Sequence, residues 1–209
     1  MKKWLAVTLL SVFVLTGCTF GDSAEQQISG VLQSMHDAEE PYRSVQSEMN
    51  KAEQQEVQLF EEILALTQEQ QSELQQKVTE LQELTANRKD YLANERESLE
   101  EALAKSDFSA LDLSEVERAL ADRVDKAYDA RYESYEDVYT KYEELIRLQD
   151  ALYVEMLVED VSIETVRELI QQVNAQNEVV QAAVATMNEK TEQFNSITSD
   201  VFETLQSEE

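Results

Sequence analysis

From Val31 to Glu209 this chain contains no glycine, and its single proline is Pro41. Tight hairpins need residues that accept positive φ, usually glycine or Asn-Gly, so the composition argues against a β-rich fold and for long helices. The same absence removes the loops GxxxxGK[ST] and GxGxxG that cradle phosphates. Most nucleotide-dependent enzymes go with them.

Breaks in the pattern divide the chain into four helices. A first helix is predicted from Ala24 to about Glu39, ending before Pro41 because proline disfavours helical geometry in the preceding residue. Pro41 suits a first helical position, and a second helix runs from there to about Lys105. Residues 106–113 interrupt the pattern. Ser114 then caps a third helix, with Glu117 completing a capping box, and that helix runs to about Val158. Glu159 to Val161 make a turn, Ser162 or Asp160 caps again, and the last helix runs to about Leu205.

The last helix has the clearest heptad: Val166, Ile170, Val173, Asn177, Val180, Val184, Met187, Thr191, Phe194, Thr198, Val201 and Leu205. Steps of four and three make this a coiled-coil seam, in which Asn177 fixes register at some cost to stability. The second helix carries a poorer seam, Leu74, Val78, Leu81, Thr85, Arg88, Leu92, Glu95, Leu99 and Ala102. The third has two stripes, one from Leu120 to Leu152 through Arg131, the other built on Tyr128, Tyr132, Tyr135, Tyr139 and Tyr142. Two stripes suit a helix with two neighbours. The predicted fold is all-α, an elongated antiparallel three-helix coiled-coil bundle, with a four-helix bundle as the alternative. Residues 24–209 form one domain in this reading.

The tyrosine stripe has two readings. Aromatic faces can stack on sugars. Alternatively, a turn near Asp160 sets residue i opposite roughly 320 minus i, which brings Tyr135 and Tyr139 against Ala182, Ala183, Val184 and Ala185. Large side chains facing small ones fill a shared core. Arg88, Glu95 and Arg131 interrupt apolar seams and read as an interhelical charge network that selects register.

The N-terminus carries a different signal. Lys2 and Lys3 precede an apolar run from Trp4 to Leu15, followed by Thr16, Gly17 and Cys18, the only cysteine. A basic start, a short apolar core and small residues before the cut make an export signal. The run is well short of the ~20 residues that span a bilayer. Leu15-Thr16-Gly17-Cys18 reads as a lipobox, with cleavage between Gly17 and Cys18 and diacylglycerol on the Cys18 sulfur. Residues 1–17 would be removed and 18–23 would form the lipidated tether.

With 44 acids against 17 Lys and Arg, the formal charge is -27. Nucleic acid is excluded as a partner on this charge, and so is flat adsorption on anionic lipid. His36 is the only histidine, so no metal site is predicted around its neighbours Asp37, Glu39 and Glu40. Neither a cofactor nor a Ser/His/Asp or Cys/His catalytic set is expected.

Several segments, in order along nearly the whole chain, then suggest a relationship. They are Leu-Thr-Gly-Cys at 15–18, Glu-Glu-Pro-Tyr at 39–42, Asn-Arg-Lys-Asp-Tyr-Leu-Ala-Asn-Glu-Arg-Glu-Ser-Leu at 87–99, Arg-Tyr-Glu-Ser-Tyr at 131–135, Ala-Leu-Tyr-Val-Glu-Met-Leu at 151–157 and Met-Asn-Glu-Lys-Thr-Glu-Gln-Phe-Asn at 187–195. The chain resembles the YkyA-like family of Bacillus and its relatives, lipoproteins named for binding the cell wall. The resemblance implies a helical lipoprotein on the outer face of the cytoplasmic membrane of a Gram-positive cell, with no catalytic residues to carry over. Its expected partners are the membrane, through Cys18, then peptidoglycan, or teichoic acid bridged by divalent cations. An adaptor that recruits another envelope protein is the alternative, and a cell-wall-modifying enzyme a more distant one.

Overall fold

The computed structural model describes residues 22–67 and 69–208; Gly17, Cys18 and the rest of the export signal lie outside the described residues. The described chain forms five α-helices: α1 (Ala24–Ala38), α2 (Glu40–Leu64), α3 (Gln71–Lys105), α4 (Glu115–Glu155) and α5 (Ile163–Glu208). They assemble into a helical bundle. The helix α2 folds back along α3, α3 packs on α4, and α4 lies along α5 over most of their lengths. Helix α1 continues the arm of α2 and reaches both α3 and α5.

The caps explain the starts. The Ser23 hydroxyl accepts from Gln26 N while the Gln26 side chain returns to Ser23 N, a capping box that begins α1 at Ala24, where the sequence placed it. Ser114 and Glu117 make the same pair before α4. Ser162 Oγ accepts from Thr165 N at 3.0 Å before α5. Helix α4 ends at Glu155, earlier than Val158, and Asp160 turns the chain with φ 63°. Aspartate tolerates that left-handed conformation better than most non-glycine residues.

The expected second helix from Pro41 to Lys105 is not continuous. It breaks after Leu64 and reverses direction before Gln71. No glycine or proline is needed. Ala65 N and Leu66 N tighten onto Glu62 O and Ile63 O, and Gln70 Oε1 then accepts from both Thr67 N (2.9 Å) and Thr67 Oγ1 (3.0 Å). The Thr67-x-x-Gln70 spacing is that of a capping box.

The break between α1 and α2 is milder. Pro41 removes one N–H from the helical ladder. Ser98 of α3 inserts beside it, its hydroxyl donating to Ala38 O (2.8 Å) and accepting from Tyr42 N (3.2 Å). In an unbroken helix those two backbone groups would bond each other.

The antiparallel register of α4 and α5 follows the expected one, with Arg131 meeting Thr191, Tyr128 meeting Phe194, and Gln176 reaching Lys141 O. The heptad of α5 needs one correction. Ala183 is buried, whereas Val184 is 37 % exposed, and Asn177 is exposed as well. The step from Val180 is three residues here, not four. In contrast, the poorer seam of α3 is buried from Val78 to Ala102 without exception.

Thr198 Oγ1 is buried without a hydrogen-bond partner. An unsatisfied buried hydroxyl costs about 1–3 kcal/mol. Thr198→Val keeps the shape and removes the cost, so it should raise the melting temperature by about 2–4 °C, measured by circular dichroism on the purified chain.

Candidate functional site

Polar groups enter the middle of the bundle in two storeys. Near the centre, Arg88 of α3 is 1 % exposed. Its guanidinium donates to Glu56 of α2, to Gln149 Oε1 (2.9 Å), and through Nε and Nη2 to Tyr142 Oη (2.9 and 2.6 Å). Thr85 Oγ1 completes the Glu56 carboxylate at 2.8 Å. Burial pushes the Glu56 carboxyl up, and Arg88 and Thr85 pull it back. Burial opposes the Arg88 charge, while Tyr142, Glu56 and Glu53 favour it and hold the guanidinium protonated.

Towards the N-terminal end, Arg131 of α4 donates both terminal nitrogens to Glu39, which sits at the α1–α2 junction, and Nε to Thr191 of α5 (3.3 Å). Tyr128 Oη adds a 2.8 Å bond to Glu39. The seam residues Arg88 and Arg131 thus join helices in ion pairs. Glu95 does not. It is 5 % exposed, and its one hydrogen bond comes from Gln46 Nε2 at 2.6 Å. Burial, reinforced by the Glu53 charge, pushes its carboxyl up to about 8.

The tyrosine stripe packs inward. Tyr128, Tyr135 and Tyr142 are buried, and Tyr132 and Tyr139 are half-buried. Tyr135 joins Leu99, Val138, Ala183 and Met187 in one cluster. Every hydroxyl of the stripe is used, on Glu39, Glu136, Leu92 O, Glu143, or the Glu53 and Met49 pair beside Tyr142. Three arginines, Arg88, Arg96 and Arg131, lie 4.7–5.4 Å from ring centroids, a cation–π distance.

His36 lies beside Arg43, whose guanidinium bonds the His36 carbonyl (2.8 Å) and Glu40. Among the described residues no group of three or more His, Cys, Asp or Glu is placed to hold a metal ion. No described helix is long and apolar enough to cross a membrane.

The open site is elsewhere. A cleft of about 500 Å³ lies between α2 and α5, with α4 as its floor. The α2 wall carries Glu53, Val57, Phe60 and Glu61; the α5 wall carries Ile170, Val173, Asn174, Asn177 and Gln181. Leu145, Gln149, Leu152, Tyr153 and the Arg88–Glu56 pair line the bottom. Of these residues the sequence pointed only to Asn177, Arg88 and the apolar seam, and it assigned Asn177 to the core. The overlooked signal was a carboxamide in the cleanest apolar heptad of the chain.

The family model described as "Putative cell-wall binding lipoprotein", YkyA, matches residues 23–204. The "Uncharacterized lipoprotein YkyA" of Bacillus subtilis (strain 168) is 22 % identical over 194 residues, covering 91 % of this chain and 86 % of that protein. A conserved protein of unknown function from Staphylococcus aureus, solved by crystallography at 1.6 Å, superposes with a TM-score of 0.75 at 12 % identity, over 88 % of this chain and 97 % of that one. At that identity the likeness is one of fold.

Two predictions follow from the buried groups. Replacing Arg88 with Met leaves Glu56 buried without its cation, and should cost about 3–5 kcal/mol in urea unfolding. The double change Arg88→Met with Glu56→Leu should recover part of that loss. Glu95 sets an unusual pH dependence. Its folded value near 8 exceeds the ordinary 4.5, so between these values only the folded chain holds the proton and stability falls as pH rises. Glu95→Gln should match the parent near pH 4 and melt at a clearly higher temperature at pH 8.5. Thermal unfolding of both chains across that range measures the difference.

Proposed function

The chain belongs to the YkyA family, described as "Putative cell-wall binding lipoprotein", and from that premise we propose a non-enzymatic envelope protein, held by diacylglycerol on Cys18 at the outer face of the cytoplasmic membrane and associated with the wall. The observation that carries the reading is the end from which the bundle emerges. Helix α1 starts at Ala24, six residues after Cys18, and lies beside the C-terminal turn of α5, where Gln206 bonds Glu25 at 3.0 Å. The turns at 65–70 and 156–162 are at the opposite end. Helix α5 has 46 residues, about 69 Å at 1.5 Å per residue. An anchor at Cys18 would stand this rod on end, its α1–α2 arm, α3, α4 and α5 forming four antiparallel columns.

A surface of this charge repels teichoic acid unless divalent cations bridge the two, so peptidoglycan is the favoured wall component. The non-enzymatic reading is supported by the buried acids. Among the described residues these are Glu56 and Glu95. Glu56 is tied to Arg88, and Glu95, the acid with the strongly raised pKa, does not line the cleft.

One observation favours the adaptor reading. Leu64, Val154, Leu157, Val158 and Ile163 are 41–78 % exposed and gather at the end opposite α1. Partner recruitment through that tip would be lost on changing Leu157 and Ile163 to lysine, with wall sedimentation retained.

Two measurements test the main reading. Cys18→Ser should abolish palmitate labelling and detergent-phase partitioning of the expressed protein. Purified peptidoglycan should sediment the parent chain with or without Mg2+. Sedimentation only with Mg2+ and teichoic acid would shift the ligand to the polyanion, and none in any condition would leave the adaptor. Muropeptide release by the pure chain would overturn the non-enzymatic assignment.

A further inference from the structure

The cleft between α2 and α5 is a built site with unused hydrogen-bonding groups. Asn174, Asn177 and Gln181 on α5, and Glu61 on α2, line it and have no partner among the described residues. Tyr153 adds an independent sign. It is 3 % exposed and lines the cleft floor, yet its hydroxyl bonds no described residue. The charges of Glu56 and Arg88, both at the bottom of the cleft, act on it. Buried tyrosine hydroxyls ordinarily find a partner, and here a bound molecule can supply it.

Charge then selects the class of molecule. Among the described residues Arg88 is the only cation lining the cleft, and its guanidinium is committed to Glu56, Tyr142 and Gln149. An anion finds no free positive group. Glu61 on α2 is exposed and unpaired, whereas Glu53, two turns earlier, accepts from Tyr142 Oη and lies 3.8 Å from Arg88. The facing carboxamides each donate and accept, which matches peptide backbone. Phe60, Val57, Ile170 and Val173 supply apolar surface between the polar groups. For a sugar the site is poorer, because Tyr153 has almost no open ring face and Phe60 is half-buried. The volume, about 500 Å³, falls in the range of small-ligand sites.

We propose that this cleft binds a short amine-bearing peptide segment, with Glu61 taking the ammonium group and Asn174, Asn177 and Gln181 the backbone amides. It rests on the wall-associated reading only for the source of the peptide, which would be exposed in the envelope.

The test uses the full chain in detergent micelles and isothermal titration with four probes: the N-terminally acetylated peptide Ala-Gln-Lys-Ala, the same peptide acetylated also on lysine, chitotetraose, and inorganic polyphosphate. The lysyl peptide should bind, and acetylation should weaken it at least tenfold. The triple variant Glu61→Gln, Asn177→Ala, Gln181→Ala should weaken it at least fivefold at an unchanged melting temperature, whereas Glu168→Gln on the outer face of α5 should not. Equal binding of the acetylated peptide, tighter binding of chitotetraose or polyphosphate, or no binding of the lysyl peptide would overturn the proposal. Sedimentation with purified walls separates it from the broader reading. A triple variant that sediments like the parent sinks the cleft's role and leaves wall association standing. A parent that binds the peptide but not walls does the reverse.

Discussion

The arrangement of this bundle depends on a charge that cannot be exposed without taking the helices apart. Arg88 sits on the buried seam of α3 and is held by Glu56 from α2 and by Tyr142 and Gln149 from α4. A guanidinium has five donors in a fixed plane, so it does not tolerate a helix sliding by one turn. An apolar seam is more permissive, because leucine against leucine is satisfied in several registers. Arg131 imposes the same condition at the other storey, where it ties Glu39 and Thr191 to α4. Desolvating two arginines makes these storeys poor sources of net stability. Their effect is to leave one alignment in which every buried charge is paired, and that alignment fixes how far α5 stands from α2.

Much of the fold was legible in the sequence because helix starts have local chemistry. Ser114 with Glu117, Pro41 at the first turn of α2, and the Ser162 cap are short-range patterns, and each is found where the spacing put it. The α4–α5 register was legible too, since one turn at Asp160 determines it. The reversal at 65–70 was not. It has no glycine or proline, and the apolar period of α2 runs nearly in phase into that of α3. Only Thr67 and Gln70 mark it, and a threonine three residues before a glutamine is common in so glutamine-rich a chain. Losing that turn changes a folded pair of helices into a long single rod.

The candidate site was less legible, for a physical reason. A heptad records the average environment of a helix face, not the place where a neighbour is missing. Along α5, Val180, Ala183 and Met187 are buried, while Asn177 faces an opening because α2 does not close over it. The sequence shows an asparagine in a seam, which in a coiled coil specifies register. Only the contacts show that this asparagine faces space. The tyrosines had two readings from the sequence, a sugar-stacking face and a shared core, and it is the core that they enter, with Tyr128, Tyr132 and Tyr142 hydroxyls bonded to Glu39, Glu136 and Glu53.

The two faces of the molecule can now be compared on the same grounds. On the outside, an excess of carboxylates spreads over long helices. Inside, acids are admitted only with a compensating group: Glu56 with Arg88, Glu39 with Arg131, and Glu95 with the proton that its burial retains. The cleft belongs to neither regime. Its floor is a neutralised ion pair, its rim holds the uncompensated carboxylate of Glu61, and the carboxamides opposite it are unpaired. A bundle selected for stability alone would close such a gap with aliphatic residues at positions 174, 177 and 181, continuing the seam that already holds Val166, Ile170 and Val173. The polar residues at these positions forgo that packing, and the physical return for them is selective contact with a molecule that brings its own amides and positive charge.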